Sequence, residues 1–317
     1  MAYEDAHPAQ GAQMPRHAVH TLGSATITQL SEMDRWIVNP RKWFPAITDD
    51  QLALAGTKYP WSLNADPHHK LVSTLSNYVV QLGALVILVD TGIGNHKPRP
   101  GEPDMDMLHT DYPQLFTQAG FAPERVDLVI NTHLHPDHCG WNTTRVKDQW
   151  LPTYPNARYL FHEVELTNIR SLAAPAKAPT NAMFANLYND SVEPILQQAK
   201  WEPIQPGDTI AELNGTTVTL ASTPGHTPGH LAVDISDGQQ TFLIIGDAFH
   251  QPFQLDYPDL PMFADADTSQ AMLTRAELVR RCTDEGARLL TAHFHTHKPV
   301  GIHRTTTGEL QWSGLPA

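Results

Sequence analysis

Short apolar runs, separated by polar stretches rich in glycine and proline, recur along the whole chain. Runs of this length with alternating or β-branched side chains are typical of strands, because a strand turns successive side chains to opposite faces. The predicted strands cover residues 21–30, 71–80, 84–90, 126–130, 157–161, 209–211, 216–220, 231–235, 241–245 and 288–292. A turn at Gly83 separates the second of these strands from the third.

Segments between these strands have the features of helices. Helices are predicted at 112–120, from about residue 162, at 187–198 and at 269–283, and another begins at Thr48 or Asp49, either of which can cap it. In the 269–283 helix, the residues on or near one apolar face are Ala271, Leu273, Ala276, Leu278 and Val279. The order of strands and helices predicts an α/β fold in which two sheets pack together and helices cover the outer faces. Residues 1–20 are predicted to be a flexible N-terminal arm, and residues 21–317 a single domain.

Composition narrows the possible partners. Apolar residues make up 41% of the 317 positions, which is enough for a sizeable core. The formal charge of −13 argues against nucleic acid and against anionic membranes, so a small-molecule substrate is the expected partner, and a homodimer stays open. Cys139 and Cys282 cannot build a disulfide framework and are expected to be buried thiols. Without a secretory signal or a membrane-spanning run in the sequence, we expect a cytoplasmic protein.

The strongest chemical signal is a cluster of four polar side chains that directly follows the predicted strand at 126–130. His133, His135, Asp137 and His138 lie within six positions of the chain. A loop at a strand end can offer the first two to one metal ion and the last two to a second ion beside it. Neutral imidazole and carboxylate are ligands that zinc accepts. A histidine-rich surface loop is the alternative, which the specificity of the pattern disfavours.

Three later segments carry the same chemistry at strand ends. His226 lies in a glycine-rich stretch between two predicted strands, Asp247 follows the strand at 241–245, and His293 follows the strand at 288–292. Asp90 ends the strand at 84–90, where a carboxylate can orient a metal-bound histidine. Each residue alone could be an ordinary loop histidine or turn acid. Together they make coincidence implausible.

These motifs resemble those of the metallo-β-lactamase superfamily, the αββα metallohydrolases. The resemblance covers residues 71 to 293 and implies an αββα sandwich of two mixed β-sheets packed face to face. It further implies that His133, His135 and His226 hold one metal, that Asp137, His138 and His293 hold a second, and that Asp247 bridges them. Zinc is the expected ion, with iron, manganese or cobalt as alternatives. Asp90, with Asn142 or Thr223, would support the rings.

The resemblance also implies a reaction. A hydroxide that bridges the metals would attack an ester-like bond, and Asp137 or Asp247 would pass the proton. The chain is similar to acyl-homoserine lactone lactonases and to the methyl parathion hydrolase-like group, so a lactone, an aryl ester or an organophosphate is expected. His250 stands where many lactonases carry a tyrosine, and it could stabilise the oxyanion, protonate a leaving group or serve only structure.

Three other functions stay open. One is a mononuclear iron oxidoreductase of the persulfide dioxygenase type, another is β-lactam hydrolysis as a side activity, and the last is a non-catalytic scaffold.

Several residues near these motifs have two interpretations. Trp36, Trp43 and Phe44 are expected either in the core or in a wall of the substrate pocket, and the 172–200 segment could lie over the site as a lid. His295 and His297 could line the pocket entrance, bind adventitious metal or lie in a solvated loop. Arg275 is expected to pair with an acid.

Overall fold

The structure is a computed structural model that describes residues 16–63, 70–175 and 181–316. Its strands are β1 (His17–Leu22), β2 (Ala25–Val38), β3 (Leu71–Leu82), β4 (Leu85–Val89), β5 (Leu128–Ile130), β6 (Thr143–Val146), β7 (Gln149–Pro152), β8 (Arg158–His162), β9 (Lys200–Ile204), β10 (Thr209–Leu213), β11 (Thr216–Ser222), β12 (Leu231–Ser236), β13 (Thr241–Ile244), β14 (Arg288–Leu290), β15 (Gly301–Arg304) and β16 (Leu310–Ser313). Its α-helices are α1 (Pro40–Trp43), α2 (Asp49–Lys58), α3 (Tyr112–Gln118), α4 (Pro136–Cys139), α5 (Glu163–Ala173), α6 (Ala182–Leu187), α7 (Glu193–Gln198) and α8 (Thr268–Glu285). A π-helical turn, Tyr188–Val192, joins α6 to α7, and 3₁₀ turns lie at Pro60–Ser62, Pro123–Arg125, Gly140–Asn142 and Pro252–Leu255.

Two mixed sheets dominate the described part of the chain. The first has the strand order β1-β2-β3-β4-β5-β8-β9, and the second has the order β10-β11-β12-β13-β14. In the first sheet, β1 to β4 pair antiparallel, whereas β4, β5, β8 and β9 pair parallel. In the second sheet only the β13–β14 pair is parallel. Two hairpins, β6–β7 and β15–β16, complete the topology.

Three apolar clusters show how the layers stack. The central cluster joins side chains of the first sheet, such as Val80 and Ile87, to side chains of the second, such as Val233 and Ile244. The two other clusters fill the outer faces, one beneath α3, α5 and α7 and the other beneath α2 and α8. Both faces of each sheet are therefore covered, and this explains the nearly continuous apolar runs of β4 and β13 and the burial of almost every residue of β3. The predicted αββα sandwich is confirmed.

Helix ends agree with the sequence where a capping signal exists. Thr48 caps α2 and forms a capping box with Gln51, as its side-chain chemistry predicts. Helix α8 begins after the cap Asp267 and ends at Gly286, which adopts a left-handed conformation. Two residues of the predicted apolar face are misplaced, because Leu273 is 64% exposed and Ala276 is exposed as well.

The N-terminal region differs most from the prediction. The predicted strand at 21–30 is a hairpin, because the chain turns at residues 23–24 and β2 continues to Val38. Strand β1 begins at His17, so residues 17–20 belong to a sheet and not to the predicted flexible arm, whereas residues 1–15 lie outside the described residues. The sequence reading also missed β9 and both hairpins, whose strands are short and partly polar.

None of the helices in the described ranges is both long enough and apolar enough to cross a membrane.

Candidate metal centre

Loops at one end of the two sheets bring the polar motifs together. The loop after β5 and helix α4 carry His133, His135, Asp137 and His138. The β11–β12 loop carries His226, while Asp247 and His293 follow β13 and β14 in the second sheet. The β11–β12 loop depends on Gly225, which has a φ of 130° and lies against the backbone of Ala271, where a Cβ would collide.

The first potential ligand group consists of His133, His135, His226 and Asp247, whose ligand atoms all lie within 4.8 Å of one another. His226 Nε2 lies 2.8 Å from His135 Nδ1 and 3.3 Å from Asp247 Oδ2. His133 Nε2 lies 3.8 Å from the same carboxylate oxygen. Ligands about 2.0–2.1 Å from a tetrahedral zinc ion are separated by about 3.3 Å, so these spacings suit one cation.

The second group consists of Asp137, His138, His293 and the same Asp247, and its ligand atoms also lie within 4.8 Å of one another. Asp247 Oδ1 lies 2.9 Å from His138 Nε2 and 3.0 Å from His293 Nε2. Asp137 Oδ2 lies 3.6 Å from His293 Nε2 and 3.8 Å from His138 Nε2. Because Asp247 is common to both groups, one oxygen of its carboxylate faces each of them.

Hydrogen bonds on the outer nitrogens show why these groups suit cations. His138 Nδ1 lies 2.8 Å from Asp90 Oδ2, and His293 Nδ1 lies 3.0 Å from the Thr74 carbonyl oxygen. A carboxylate or carbonyl oxygen only accepts, so in both rings Nδ1 carries the proton. In a neutral ring the lone pair of Nε2 then points at Asp247 Oδ1, another acceptor. The two acceptors need a proton or a metal cation between them.

Buried atoms without hydrogen bonds lead to the same conclusion. His133 Nε2, His138 Nε2 and Asp247 Oδ1 are buried and have no hydrogen-bond partner among the described residues. Such atoms are costly unless a ligand satisfies them. The donor set of imidazole and carboxylate therefore fits divalent metal ions.

The pKa directions follow from burial and from the acids at the centre. Burial is the main reason that the pKa values of His133 and His135 lie well below the usual range, which keeps both rings neutral. Burial also acts on His138 and His226, but carboxylates outweigh it: Asp247 and Asp90 raise the pKa of His138, and Asp247 and Asp265 raise the pKa of His226 to about 9. The pKa of Asp247 is well below normal, because the surrounding histidines outweigh the effect of its burial. The carboxylates thus favour positive charge at His138 and His226, while burial disfavours it at His133 and His135.

Residues around the proposed ligands hold the ligand loops in place, and only some of these residues were predicted from the sequence. Asp90 holds His138 and also accepts hydrogen bonds from the Thr132 backbone nitrogen at 2.7 Å and hydroxyl at 2.8 Å. Asn142 and Thr223, proposed as ring supports, hold none of the ligand rings among the described contacts. Asn142 donates to the side chain of Asn131, and the Thr223 hydroxyl lies 2.8 Å from His230 Nδ1.

The sequence reading missed three supporting residues. Asp265 Oδ1 lies 3.1 Å from His226 Nδ1, and Asp265 Oδ2 lies 3.6 Å from Arg275 Nη1. Asp265 is therefore the acid with which Arg275 was expected to pair. His230 Nε2 accepts a hydrogen bond from the Asp247 backbone nitrogen at 3.1 Å, and burial lowers the pKa of His230 to about 3. Glu165 accepts from the backbone nitrogens of Leu134 at 3.2 Å and Gly229 at 2.7 Å, and so ties two ligand loops together.

His250 belongs to the centre but faces only one of its carboxylates. Its Nε2 lies 3.2 Å from Asp247 Oδ2, so Nε2 carries the proton and donates it. Its ring stacks on His293 with centroids 5.2 Å apart, and its Nδ1 is buried without a partner among the described residues. Burial lowers the pKa of His250 to about 4, so the ring is neutral near pH 7.

A cavity of about 360 Å³ opens onto both groups. Its large apolar lining residues are Trp36, Trp43, Met105, Met183, Phe184, Met262 and Phe263. Trp36 and Trp43 are therefore both buried and in the pocket wall, whereas Phe44 lies only in the core, against Phe253. His295 and His297 do not line this cavity, and His297 is 9% exposed with its Nε2 3.3 Å from the Ser31 hydroxyl. The predictions that His297 lines the pocket entrance or lies in a solvated loop are therefore wrong.

The predicted lid is partly described. Met183 and Phe184 of α6 line the cavity, so this part of the 172–200 segment lies beside the site, and its role as a lid stays a prediction. Residues 176–180 lie outside the described residues.

Comparison with known proteins gives a family. The sequence profile of the family described as Metallo-beta-lactamase superfamily matches residues 75–293. A hydroxyacylglutathione hydrolase of Hyphomonas neptunium is 30% identical over 120 residues, which are 38% of this chain and 32% of that enzyme. The chain thus matches about a third of the length of that relative.

Solved structures share the fold over nearly the whole chain. A hydrolase named AbOPH of the β-lactamase superfamily has a TM-score of 0.75 at 22% identity, with 96% of this chain and 99% of that chain covered. AidC, a dizinc quorum-quenching lactonase in complex with its product, has a TM-score of 0.73 at 20% identity, with 95% and 98% covered.

Proposed function

Because this chain belongs to the metallo-beta-lactamase superfamily, we propose that it is a hydrolase that holds two divalent metal ions, zinc as the expected ion, and cleaves an ester-like bond. The observation that carries this proposal is the pair of acceptor contacts on Asp247 Oδ1, 2.9 Å from His138 Nε2 and 3.0 Å from His293 Nε2. In both rings the other nitrogen donates to an acceptor, so a cation is the natural occupant of the space between these atoms.

In this proposal each ligand group holds one ion. His133, His135 and His226 would hold the first, and Asp137, His138 and His293 the second. Asp247 would bind both through its two oxygens. Divalent cations, when bound, supply Lewis acidity and lower the pKa of water.

The chain's own residues would orient the reactants. Asp137 and Asp247 are the carboxylates within reach of the reacting centre and are proposed to pass the proton from water to the leaving oxygen. His250 is neutral at pH 7, because its pKa is about 4, which favours a hydrogen-bond donor over a general acid. We therefore assign His250 to orienting Asp247, to which its single N–H donates.

The cavity favours a neutral substrate with an apolar group. Two tryptophans, three methionines and two phenylalanines line it, and no lysine or arginine does so among the described residues. Among the described residues, the charged side chains on its walls besides the proposed ligands are Glu102 and Asp265, both acids. A lactone, an aryl ester or a phosphotriester fits this environment. The acylglutathione thioester implied by the name of the Hyphomonas neptunium relative carries carboxylates, as β-lactam antibiotics do, and fits it less well.

The iron oxidoreductase alternative has less support. A single iron needs one ligand group, whereas this chain presents two complete groups that share a carboxylate. The two alternatives differ in metal content, because the hydrolase should contain about two zinc ions per chain and the oxidoreductase one iron ion.

The test is a hydrolysis panel on zinc-loaded protein. Lactones, aryl esters, phosphotriesters and β-lactams would be compared before and after chelation, with Asp247→Ala as the inactive variant. We expect hydrolysis of at least one neutral class, its loss with chelator and no turnover by the variant. Unchanged turnover by Asp247→Ala would remove the bridging role, and a protein with one iron and no hydrolytic activity would remove the proposed function.

A further inference from the structure

A buried group of three charged residues lies behind the cavity walls. Arg99 contacts Asp190 through two parallel hydrogen bonds, Nη1 to Oδ2 at 2.7 Å and Nη2 to Oδ1 at 2.9 Å. Lys97 Nζ lies 3.4 Å from Asp190 Oδ1 and donates to the Asp190 carbonyl oxygen at 3.0 Å. The side chains of Lys97 and Arg99 are fully buried, so one carboxylate faces two cations away from solvent.

This cluster joins two segments that both reach the cavity. The loop that carries Lys97 and Arg99 continues to Met105, which lines the cavity. Asp190 lies in the π-helical turn that follows α6, whose residue Phe184 also lines the cavity. No side chain of the cluster lines the cavity itself.

The contacts of the cluster leave little freedom between these segments. Besides its bond to Asp190, Lys97 Nζ donates to the Thr143 hydroxyl at 2.8 Å and lies 3.9 Å from the centre of the Trp150 ring. Arg99 Nη2 also lies 3.4 Å from the Ser191 hydroxyl. Bidentate arginine–carboxylate pairs are directional, so they fix orientation as well as distance.

Two segments can be held together without buried charged residues. Buried charges cost more to desolvate than apolar side chains of the same size, and apolar packing often replaces them without loss of stability. Directional charge pairs are instead suited to fixing one register between two segments. The π-helical turn at Asp190 points the same way, because such turns are frequent at functional sites.

We infer that the Arg99–Asp190–Lys97 cluster determines which apolar groups the enzyme accepts, by fixing the separation between Met105 and Phe184. These three residues are positioning residues, since they act through the cavity walls. The inference rests on the proposed function, because it assigns a selectivity to the same site. A wall that shifts when the pair loosens would admit longer acyl chains and hold short ones less tightly.

The test uses zinc-loaded full-length protein and p-nitrophenyl esters from acetate to decanoate. Arg99→Lys keeps the charge but loses the two parallel bonds. We expect its ratio of kcat/KM for decanoate over acetate to change about tenfold, equivalent to contacts with about two methylene groups. The change should lie in KM, with zinc content unaffected. Arg158→Lys is the matched control, since Arg158 forms an exposed ion pair with Glu202 at 3.2 Å.

A second variant and a second readout keep the test decisive. Replacing all three charges together (Lys97→Met, Arg99→Met and Asp190→Leu) avoids leaving an unpaired buried charge, and it should change the same ratio. Calorimetric binding of hexanoate and decanoate measures length preference without turnover. A ratio that stays within twofold of wild type in the folded, zinc-replete variants, in both assays, would overturn the inference. A wild type that hydrolyses no lactone, aryl ester or phosphotriester would defeat the proposed function, while the calorimetric ratio would still decide the inference.

Discussion

Replacing Asp90 with asparagine should weaken one of the two proposed metal sites and spare the other. The Asp90 carboxylate accepts three hydrogen bonds, from His138 Nδ1 at 2.8 Å and from the backbone nitrogen and the hydroxyl of Thr132. An amide has a single acceptor oxygen, so in Asp90→Asn either His138 Nδ1 or the Thr132 nitrogen faces an NH₂ group. Asparagine tolerates the left-handed φ of 59° at this position, so the backbone should not change.

The expected effect is a change of tautomer at His138. Without an acceptor at Nδ1, the ring can carry its proton on Nε2, the atom that faces Asp247 Oδ1 at 2.9 Å. A protonated Nε2 cannot bind a metal ion. Loss of such an outer partner costs about 10–100-fold in metal affinity, which corresponds to about 1.4–2.7 kcal/mol.

Competition with a chelating dye would measure the two zinc dissociation constants separately. We expect one to rise 10–100-fold and the other to change less than threefold, with activity recovered at high zinc concentration. Asp127→Asn is the control, because the Asp127 carboxylate also accepts a backbone hydrogen bond, from the Val86 nitrogen at 2.8 Å. Asp127 belongs to neither ligand group, so this variant should leave both zinc dissociation constants unchanged. Equal weakening of both sites, or no weakening, would refute the tautomer argument.

Other residues give further predictions. Burial lowers the pKa of Lys97 from 10.5 to about 8, so between these pH values the unfolded chain retains a proton that the folded chain has lost. The free energy of unfolding of wild type, measured with urea, should therefore rise by about 3 kcal/mol relative to Lys97→Met from pH 8 to pH 10.5. A difference that stays constant over this range would contradict the prediction. Glu165→Gln should cost about 1–3 kcal/mol, because an amide cannot accept from both ligand loops; thermal unfolding measures this, and an unchanged Tm would exclude it. Gly225→Ala should lower the Tm and the zinc content together, since a Cβ would meet the backbone of Ala271 and displace His226; a variant with wild-type zinc content would show that the loop adapts.

The sandwich itself was predictable because its central strands carry a strong local signal. Strands β4 and β13 are buried on both faces, so their apolar runs are nearly continuous, and β3 carries apolar pairs at both of its ends. The β1–β2 hairpin was not predictable in the same way. The end of β1, the turn and the start of β2 together have the pattern of a single strand at 21–30. Only pairing with β3 extends β2 to Val38, past polar residues such as Asp34.

The cavity walls lay beyond sequence reasoning for another reason. Phe263 and Phe184 are separated by 79 positions, in segments without periodicity that identifies a pocket, and they meet only after both layers have packed. The buried Arg99–Asp190 pair likewise joins residues 91 positions apart. Local patterns indicate that a charged residue exists, but its burial depends on which remote carboxylate reaches it.

The proposed metal ligands can be predicted from the sequence, whereas most of the groups that orient them cannot. A ligand must be a particular residue type at a strand end, so His133, Asp247 and His293 are recognisable in the sequence. The outer nitrogen of a ligand ring needs only an acceptor. For His226 this is Asp265, in a loop without a motif, and for His293 it is the Thr74 carbonyl oxygen, which every residue type provides. The tautomer of each ring, which decides whether Nε2 can bind a cation, is therefore set largely by groups that carry no residue signature, and it follows only from the folded geometry.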